Sequence, residues 1–248
     1  SYKAYMANEW GHPKRGDIPL FEKLCLEGAQ AGLSWATILA KRGAYRTAFH
    51  GFDIAKCAAM TEADIDRLVV GDGSTGSDSI VRHRGKITSV VTNAKCVETL
   101  IAEAEANQEQ ATHGHFDAFL WSFVGGSPLL NEWPDAKSIP SESTLSHEMS
   151  KVLKGRGFSF VGPKCCYSLM QSCGLIVDHP KGTPEWLAAK QRIEAPSTAG
   201  LSKCVRAPPV DAKREPVAAT ATKKKRDRAP TKAPAQPAKR RREKVSRS

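Results

Sequence analysis

One acidic side chain, Glu27, lies within residues 24–35 (LCLEGAQAGLSW), a segment of otherwise apolar, small and neutral polar residues. An acid in this setting is expected to be partly buried, and a buried carboxylate costs several kcal/mol unless it has a partner or a ligand. An aromatic residue, Trp35, follows two helical turns later, just after a glycine break. We therefore interpret Glu27 and Trp35 as candidate binding-site residues.

A second candidate site is the basic segment 81–87 (VRHRGKI), in which Gly85 stands between Arg84 and Lys86. A glycine between two helices can direct backbone N–H groups and positive charge at one phosphate, because the free donors and the dipole of a helix N-terminus favour an anion. The alternative is an ordinary charged turn between helices. The motif by itself leaves both interpretations open.

Residues 5–11 (YMANEWG) place Tyr5 and Trp10 close together. This spacing is typical either of two aromatic rings that form part of a stacking pocket or of ordinary aromatic packing in a core. Residues 165–179 contain two adjacent cysteines and His179, residue types that bind zinc. Adjacent cysteines on a helix cannot easily face one tetrahedral ion, and the chain has no CxxC pair, so the spacing argues against zinc.

The elements that must position these residues are predicted to be helices throughout, because no segment shows sustained two-residue alternation. Pro19 is predicted at a first helical position, Ser34 as a cap, and Thr61 as the start of a capping box. Later helices are predicted at 86–105, 116–124, 141–154, 163–176 and 184–193, with a loop at 71–79. The predicted fold class is all-α.

The positive charge is concentrated at the C-terminus. Residues 200–248 contain 16 of the 37 Lys and Arg residues and 4 of the 26 Asp and Glu residues. This part therefore has a net charge of +12, and the rest of the chain has a net charge of −1, which gives the total of +11. The seven cysteines form no disulfide framework, which favours a reducing compartment. No apolar run is long enough to span a membrane, so no membrane partner is predicted.

Residues 196–248 are expected to be a disordered tail, because they contain few large apolar side chains. Two basic clusters, 223–226 (KKKR) and 239–242 (KRRR), lie within it. They could be a solvated tail, a signal for import receptors, or a non-specific phosphate-binding region. We predict nuclear localisation, with organellar targeting as the alternative.

Six motifs occur in a specific order: NEWG, LEGxQAGLSW, RHRGKI, WSFV, RGFxFVG and CYSxMQxCGLxxDH. This set resembles the DNA-3-methyladenine glycosylase I family, a divergent branch of the helix-hairpin-helix glycosylases, over about residues 2–183. The resemblance implies a helix-hairpin-helix DNA glycosylase fold for residues 1–195, followed by the tail.

The resemblance also implies a function. The family flips alkylated bases, chiefly 3-methyladenine, out of duplex DNA and hydrolyses the N-glycosidic bond. We expect a monofunctional, monomeric enzyme without lyase activity, which acts on double-stranded DNA containing alkylated bases and needs no cofactor. The alternatives are a non-catalytic protein that binds alkylated DNA on the same fold, and a generic helical nucleic-acid-binding protein driven by the tail.

Site residues follow from the resemblance position by position. Glu27 matches the acid that recognises the base and is our candidate catalytic residue. The implied base-binding residues are Tyr2, Tyr5, Trp10, Trp35 and Ser168. The implied DNA-binding residues are Gly32 and Leu33, which fill the gap left by the flipped base, and Arg82, His83, Arg84, Gly85 and Lys86, which grip the phosphate backbone.

The chain departs from the family at its structural zinc site. Met6 stands at the position of an early histidine ligand, and Thr183 stands at the position of the last cysteine ligand. The N-terminal cysteine would lie before Ser1, so His179 is the one matching position. Because one ligand does not hold zinc, no metal is predicted.

Overall fold

A computed structural model describes residues 2–195 of the chain, and these residues fold predominantly into helices. The helices are α1 Tyr2–Asn8, α2 Asp17–Gln30, α3 Trp35–Ala40, α4 Arg42–Ala48, α5 Ile54–Ala58, α6 Glu62–Val70, α7 Arg84–Ala106, α8 His115–Ser122, α9 Thr144–Gly155, α10 Pro163–Ser172 and α11 Pro184–Glu194. The all-α prediction is confirmed. The predicted disordered tail and its basic clusters lie outside the described residues.

The core forms around α7, which packs against α2, α5, α6 and α8, while α10 packs against α2 and α9. Large aromatic side chains at its centre are fully buried, among them Phe21, Phe49, Phe116 and Trp121. Burial of each such ring contributes roughly 2–3 kcal/mol, so this cluster holds the helices together. Within residues 2–195, no helix combines the length and apolar character needed to cross a membrane.

Helix starts follow local capping chemistry. The Ser34 hydroxyl accepts a hydrogen bond from the Thr37 N–H at 3.2 Å, and Thr61 forms a reciprocal capping box with Asp64, as predicted. The helix predicted after Ser34 is broken at Lys41 into α3 and α4. The position predicted for Pro19 was wrong by two residues, because α2 begins at Asp17.

A short strand pair was not predicted. Strand β1, Leu129–Leu130, pairs in parallel with β2, Ile176–Val177. Two residues are too few to show an alternating pattern, and the first residue of β2, Ile176, was predicted as the last residue of the helix at 163–176. That helix ends at Ser172 because Gly174 turns the backbone with φ +68°.

Gly174 also fixes the connection between α1 and α2. A Cβ atom at this position would lie 2.6 Å from the backbone of His12 and Pro13, so only glycine lets the two chain segments approach this closely. The Lys14 N–H then donates to the Cys173 carbonyl at 2.9 Å. This contact holds the end of α10 beside the N-terminal segment.

The basic segment differs from its prediction in one respect. Gly85 is not between two helices but in the first turn of α7, and His83 caps that helix by accepting a hydrogen bond from the Lys86 N–H at 3.2 Å. No helix ends directly before it, because α6 ends at Val70 and a loop with one 3-10 turn, Gly76–Asp78, follows.

Candidate active site

A cavity of about 250 Å³ opens among α1, α2, α3 and α10. It contains every residue predicted to contact a base, together with four that were not predicted. Its lining residues are Tyr2, Tyr5, Met6, Trp10, Glu27, Gln30, Trp35, Ser168, Gln171 and Ser172. Four separate helices and the turn after α1 thus bring the motifs together, an arrangement that sequence spacing does not reveal.

Aromatic rings form one wall of the cavity. The ring centroids of Tyr5 and Trp35 lie 5.4 Å apart with an angle of 44° between the planes, and Tyr2 lies 6.5 Å from Tyr5. Tyr5 is buried, whereas Tyr2 is 49% exposed and lies at the opening. Burial raises the pKa of the Tyr5 hydroxyl, so it keeps its proton at neutral pH and can act as a donor.

Glu27 lies on the buried side of the same cavity. It is only 4% exposed, and its Oε1 atom accepts hydrogen bonds from Lys23 Nζ and Ser172 Oγ, each at 3.0 Å. The sequence suggested an acid in need of a partner, and the structure supplies two of them within the protein. Neither bond uses Oε2.

Lys23 is a site residue that sequence reasoning missed. Its ammonium lies behind the cavity wall, 3.0 Å from the Tyr5 hydroxyl and 3.9 Å from the centroid of the Trp35 ring. Burial is the largest single influence on Lys23 and opposes its charge, but Glu27, Cys173 and Tyr5 together outweigh burial and raise the pKa of the lysine. The four-residue spacing between Lys23 and Glu27 on one helix was the available signal.

The α10 side of the cavity is held by a buried carboxylate. Asp178, 1% exposed, accepts four hydrogen bonds of 2.6–2.9 Å. The donors are the side chains of Asn131, Trp133, Tyr167 and Gln171. The bond from Gln171 Nε2 fixes a cavity-lining side chain, so this network sets the shape of the site from behind.

Trp10 and Glu9 in the NEWG motif have different roles. The Trp10 ring packs edge-on against His179 at 5.1 Å between centroids. Glu9 forms a two-pronged ion pair with Arg42 at 2.6 and 3.0 Å, and this pair lowers the pKa of Glu9. Glu9 therefore connects the C-terminal end of α1 to α4, and Glu27 is the acid that lines the cavity.

The positions that match the zinc ligands do not fit a metal ion. Thr183 caps α11 by accepting a hydrogen bond from the Trp186 N–H, and its hydroxyl donates to the Pro180 carbonyl at 2.9 Å. Met6 lines the cavity, and His179 packs on Trp10. No group of three or more His, Cys, Asp or Glu side chains suited to a metal occurs between residues 2 and 195.

The basic side chains around α7 already have partners within the protein. Arg82 donates to the Ser74 carbonyl at 2.7 Å, and Arg84 forms ion pairs with Glu62 and Asp66. Both arginines are exposed. Phosphate contacts from these side chains stay a prediction, and they would require exchange of these partners for a phosphate.

Lys86 has a structural role that the sequence did not reveal. Its Nζ donates to the carbonyls of Ala29 and Ala31 at 2.8 and 2.7 Å, which satisfies acceptors at the C-terminal end of α2.

We expect Lys86→Met to lower the free energy of unfolding by about 1–3 kcal/mol, because these acceptors lose their donor. Urea denaturation measures this, and Lys95→Met on the exposed side of α7 is the control. Equal stabilities of the two variants would contradict this role.

An exposed turn lies directly beside the cavity. Gly32 has φ +78°, and Leu33 is 38% exposed at the tip. The turn is held by Gln30, whose side chain donates to the Leu33 carbonyl at 2.7 Å and whose own carbonyl accepts from the Leu33 N–H. Gln30 also lines the cavity, so this one residue contacts both the apolar tip of the turn and the site.

An aromatic cavity around a buried acid, beside an exposed apolar turn, has the size and side chains suited to a planar ring. The methyladenine glycosylase family model matches residues 1–185, three quarters of the chain. The chain therefore belongs to the methyladenine glycosylase family, which confirms the family and the class of enzyme predicted from its motifs.

Individual relatives agree with this assignment. A DNA-3-methyladenine glycosylase of Haemophilus influenzae is 44% identical over 183 residues, which cover 74% of this chain and 91% of the relative. DNA-3-methyladenine glycosylase 1 of Escherichia coli is 46% identical over 181 residues, which cover 73% and 89%. A solved structure on 3-methyladenine recognition by the Staphylococcus aureus glycosylase is 35% identical, with a TM-score of 0.65 and coverage of 74% and 90%.

Proposed function

We propose that this protein is a monofunctional DNA glycosylase that flips alkylated bases, chiefly 3-methyladenine, out of the duplex and excises them by hydrolysis. The observation that carries the proposal is the position of the Glu27 carboxylate in a cavity walled by Tyr5 and Trp35. The relatives named as DNA-3-methyladenine glycosylases support the choice of base.

The geometry fits recognition of the base edge. Lys23 and Ser172 both bind Glu27 Oε1, so Oε2 is the oxygen that these bonds leave for a purine amino group. Tyr5 accepts from Lys23, so its own proton can be donated to a ring nitrogen. The face of Trp35 offers a stacking surface that favours a positively charged ring.

The chemistry needs little help from an acid, because alkylation at N3 gives the base a positive charge and makes it a good leaving group. Tighter binding of the departing base in the transition state then supplies rate acceleration. Water attacks the oxocarbenium-like sugar. Lys23 is paired with Glu27 as an ammonium, and an ammonium is not a nucleophile, which supports the expectation of no lyase activity.

We assign Leu33 the role of a wedge that enters the gap left by the flipped base. Leu33→Ala should lower the excision rate from duplex DNA roughly tenfold, because less of the unstacking cost is offset. Affinity for the free base should not change, since Leu33 does not line the cavity. Leu187→Ala, at a comparably exposed leucine of α11, is the matched control. An unchanged excision rate for Leu33→Ala would show that Leu33 does not act as a wedge.

The proposed activity is tested with the full chain on alkylated duplex DNA. Release of free 3-methyladenine in a single-turnover assay, with strands left uncut until an abasic-site nuclease is added, is the expected result. Strand cleavage by the protein alone would show lyase activity. Tight binding to alkylated DNA without base release would instead establish the non-catalytic alternative.

The basic clusters at 223–226 and 239–242 support a proposal of nuclear import, with import receptors as partners. A fluorescent reporter fused to residues 196–248 should accumulate in the nucleus of a eukaryotic cell. Replacing the basic residues of both clusters with glutamine is expected to abolish accumulation. Equal distributions of the two fusions would refute the proposal.

A further inference from the structure

The ammonium of Lys23 already makes the contacts that a positively charged base would seek in this cavity. It lies 3.0 Å from Glu27 Oε1 and 3.9 Å from the centroid of the Trp35 ring. A carboxylate and an aromatic face are the two groups that attract an alkylated, cationic ring. The Lys23 ammonium is therefore a cation of the protein itself that lies against Glu27 and Trp35, the two groups expected to recognise the base.

The charges of Lys23 and Glu27 balance each other at close range. Both residues are 4% exposed, so little water lies between them to weaken their interaction. Apart from Glu27, the residues that line the cavity have neutral side chains. A base that enters thus meets a pair of zero net charge, and not an isolated negative charge.

We propose that Lys23 is a specificity-determining residue that lowers the preference of the pocket for cationic over neutral bases. The proposal rests on the proposed function, because it requires Glu27 and Trp35 to contact the base. With the carboxylate charge balanced, selection depends mainly on the hydrogen-bonding edge and on stacking. The ligands of this pocket then include neutral purines with an adenine-type edge as well as alkylated cations.

The test compares two ligands that differ by one methyl group and one charge. 9-Methyladenine is neutral, and 3,9-dimethyladeninium carries a permanent positive charge. Calorimetric titration of the full chain gives the ratio of their affinities. We expect Lys23→Met to raise the preference for the cation about tenfold, because the Glu27 charge is no longer balanced. Lys23→Arg keeps the charge and should leave the ratio unchanged.

Two further variants make the result decisive. Lys23→Gln removes the charge but keeps a hydrogen-bond donor, so it should raise the ratio as Lys23→Met does, and it replaces that variant if the latter does not fold. Lys56→Met, at an exposed lysine of α5, makes the same change in net charge away from the cavity and should have no effect.

The outcomes separate this inference from the proposed function. An unchanged ratio in Lys23→Gln, in a protein that excises 3-methyladenine, overturns the role of Lys23 alone. A raised ratio in a protein that releases no base supports the role of Lys23 and overturns the excision activity. Failure of the wild-type protein to bind either ligand overturns the role of Lys23, and the excision assay then decides the proposed function.

Discussion

Glu27→Gln is expected to lower the single-turnover rate of 3-methyladenine excision about 10²-fold. Glutamine keeps the size of the side chain but removes the negative charge, so the hydrogen bond to the base edge loses its charge assistance. It also leaves the buried ammonium of Lys23 without its carboxylate partner, which makes the cavity positive towards a cationic base. Release of radiolabelled base from alkylated DNA measures the effect.

Glu22→Gln is the matched control on the same helix. Glu22 pairs with Arg46 at 2.9 Å and does not line the cavity, so its excision rate should stay within about twofold of wild type. Thermal unfolding of each variant sets the assay temperature below its midpoint. Equal rates for Glu27→Gln and wild type would remove Glu27 from base recognition.

Asp178→Ala is expected to have the largest effect on stability, a loss of roughly 4 kcal/mol or more. The substitution leaves one buried donor, that of Tyr167, and three part-buried donors without an acceptor, and each unsatisfied donor costs about 1–3 kcal/mol. A typical domain is stable by only about 5–15 kcal/mol, so this variant should be close to unfolding at room temperature. Urea denaturation of the purified proteins measures the loss.

Asp135→Ala is the control for this second prediction. Asp135 caps the turn at residues 135–138 and is exposed, so its removal should cost only about 1 kcal/mol. Two variants remove single donors from the Asp178 network. Tyr167→Phe and Gln171→Leu should each cost less than Asp178→Ala, since the Asp178 side chain keeps its remaining donors. A stable Asp178→Ala protein would show that this network does not hold α10 and the cavity wall in place.

Local signals predicted a large part of the fold. The caps at Ser34 and Thr61 were found because a cap depends on residues within three positions of each other. The break at Lys41 was missed because apolar spacing continues through α3 and α4. The strand pair was missed because it joins residues 129 and 176, which meet only when the chain is folded.

Six of the ten residues that line the cavity were candidates from the sequence, whereas the other four and the electrostatics of the site were not predicted. All the base-binding candidates line one cavity, since the family motifs mark their positions. Lys23 was missed because it lies one residue before the segment 24–35 in which Glu27 was singled out. The roles of Lys86 and Arg84 depend on tertiary partners, the carbonyls that end α2 and two acids of α6, which no spacing rule identifies.

The most direct test of the base pocket is a crystal structure of the full chain with 3-methyladenine bound. We expect the ring to stack on Trp35 inside the cavity of α1, α2, α3 and α10, with its amino edge within hydrogen-bond distance of Glu27. A base bound elsewhere on the protein, or one held in this cavity with its amino edge out of reach of Glu27, would contradict the account.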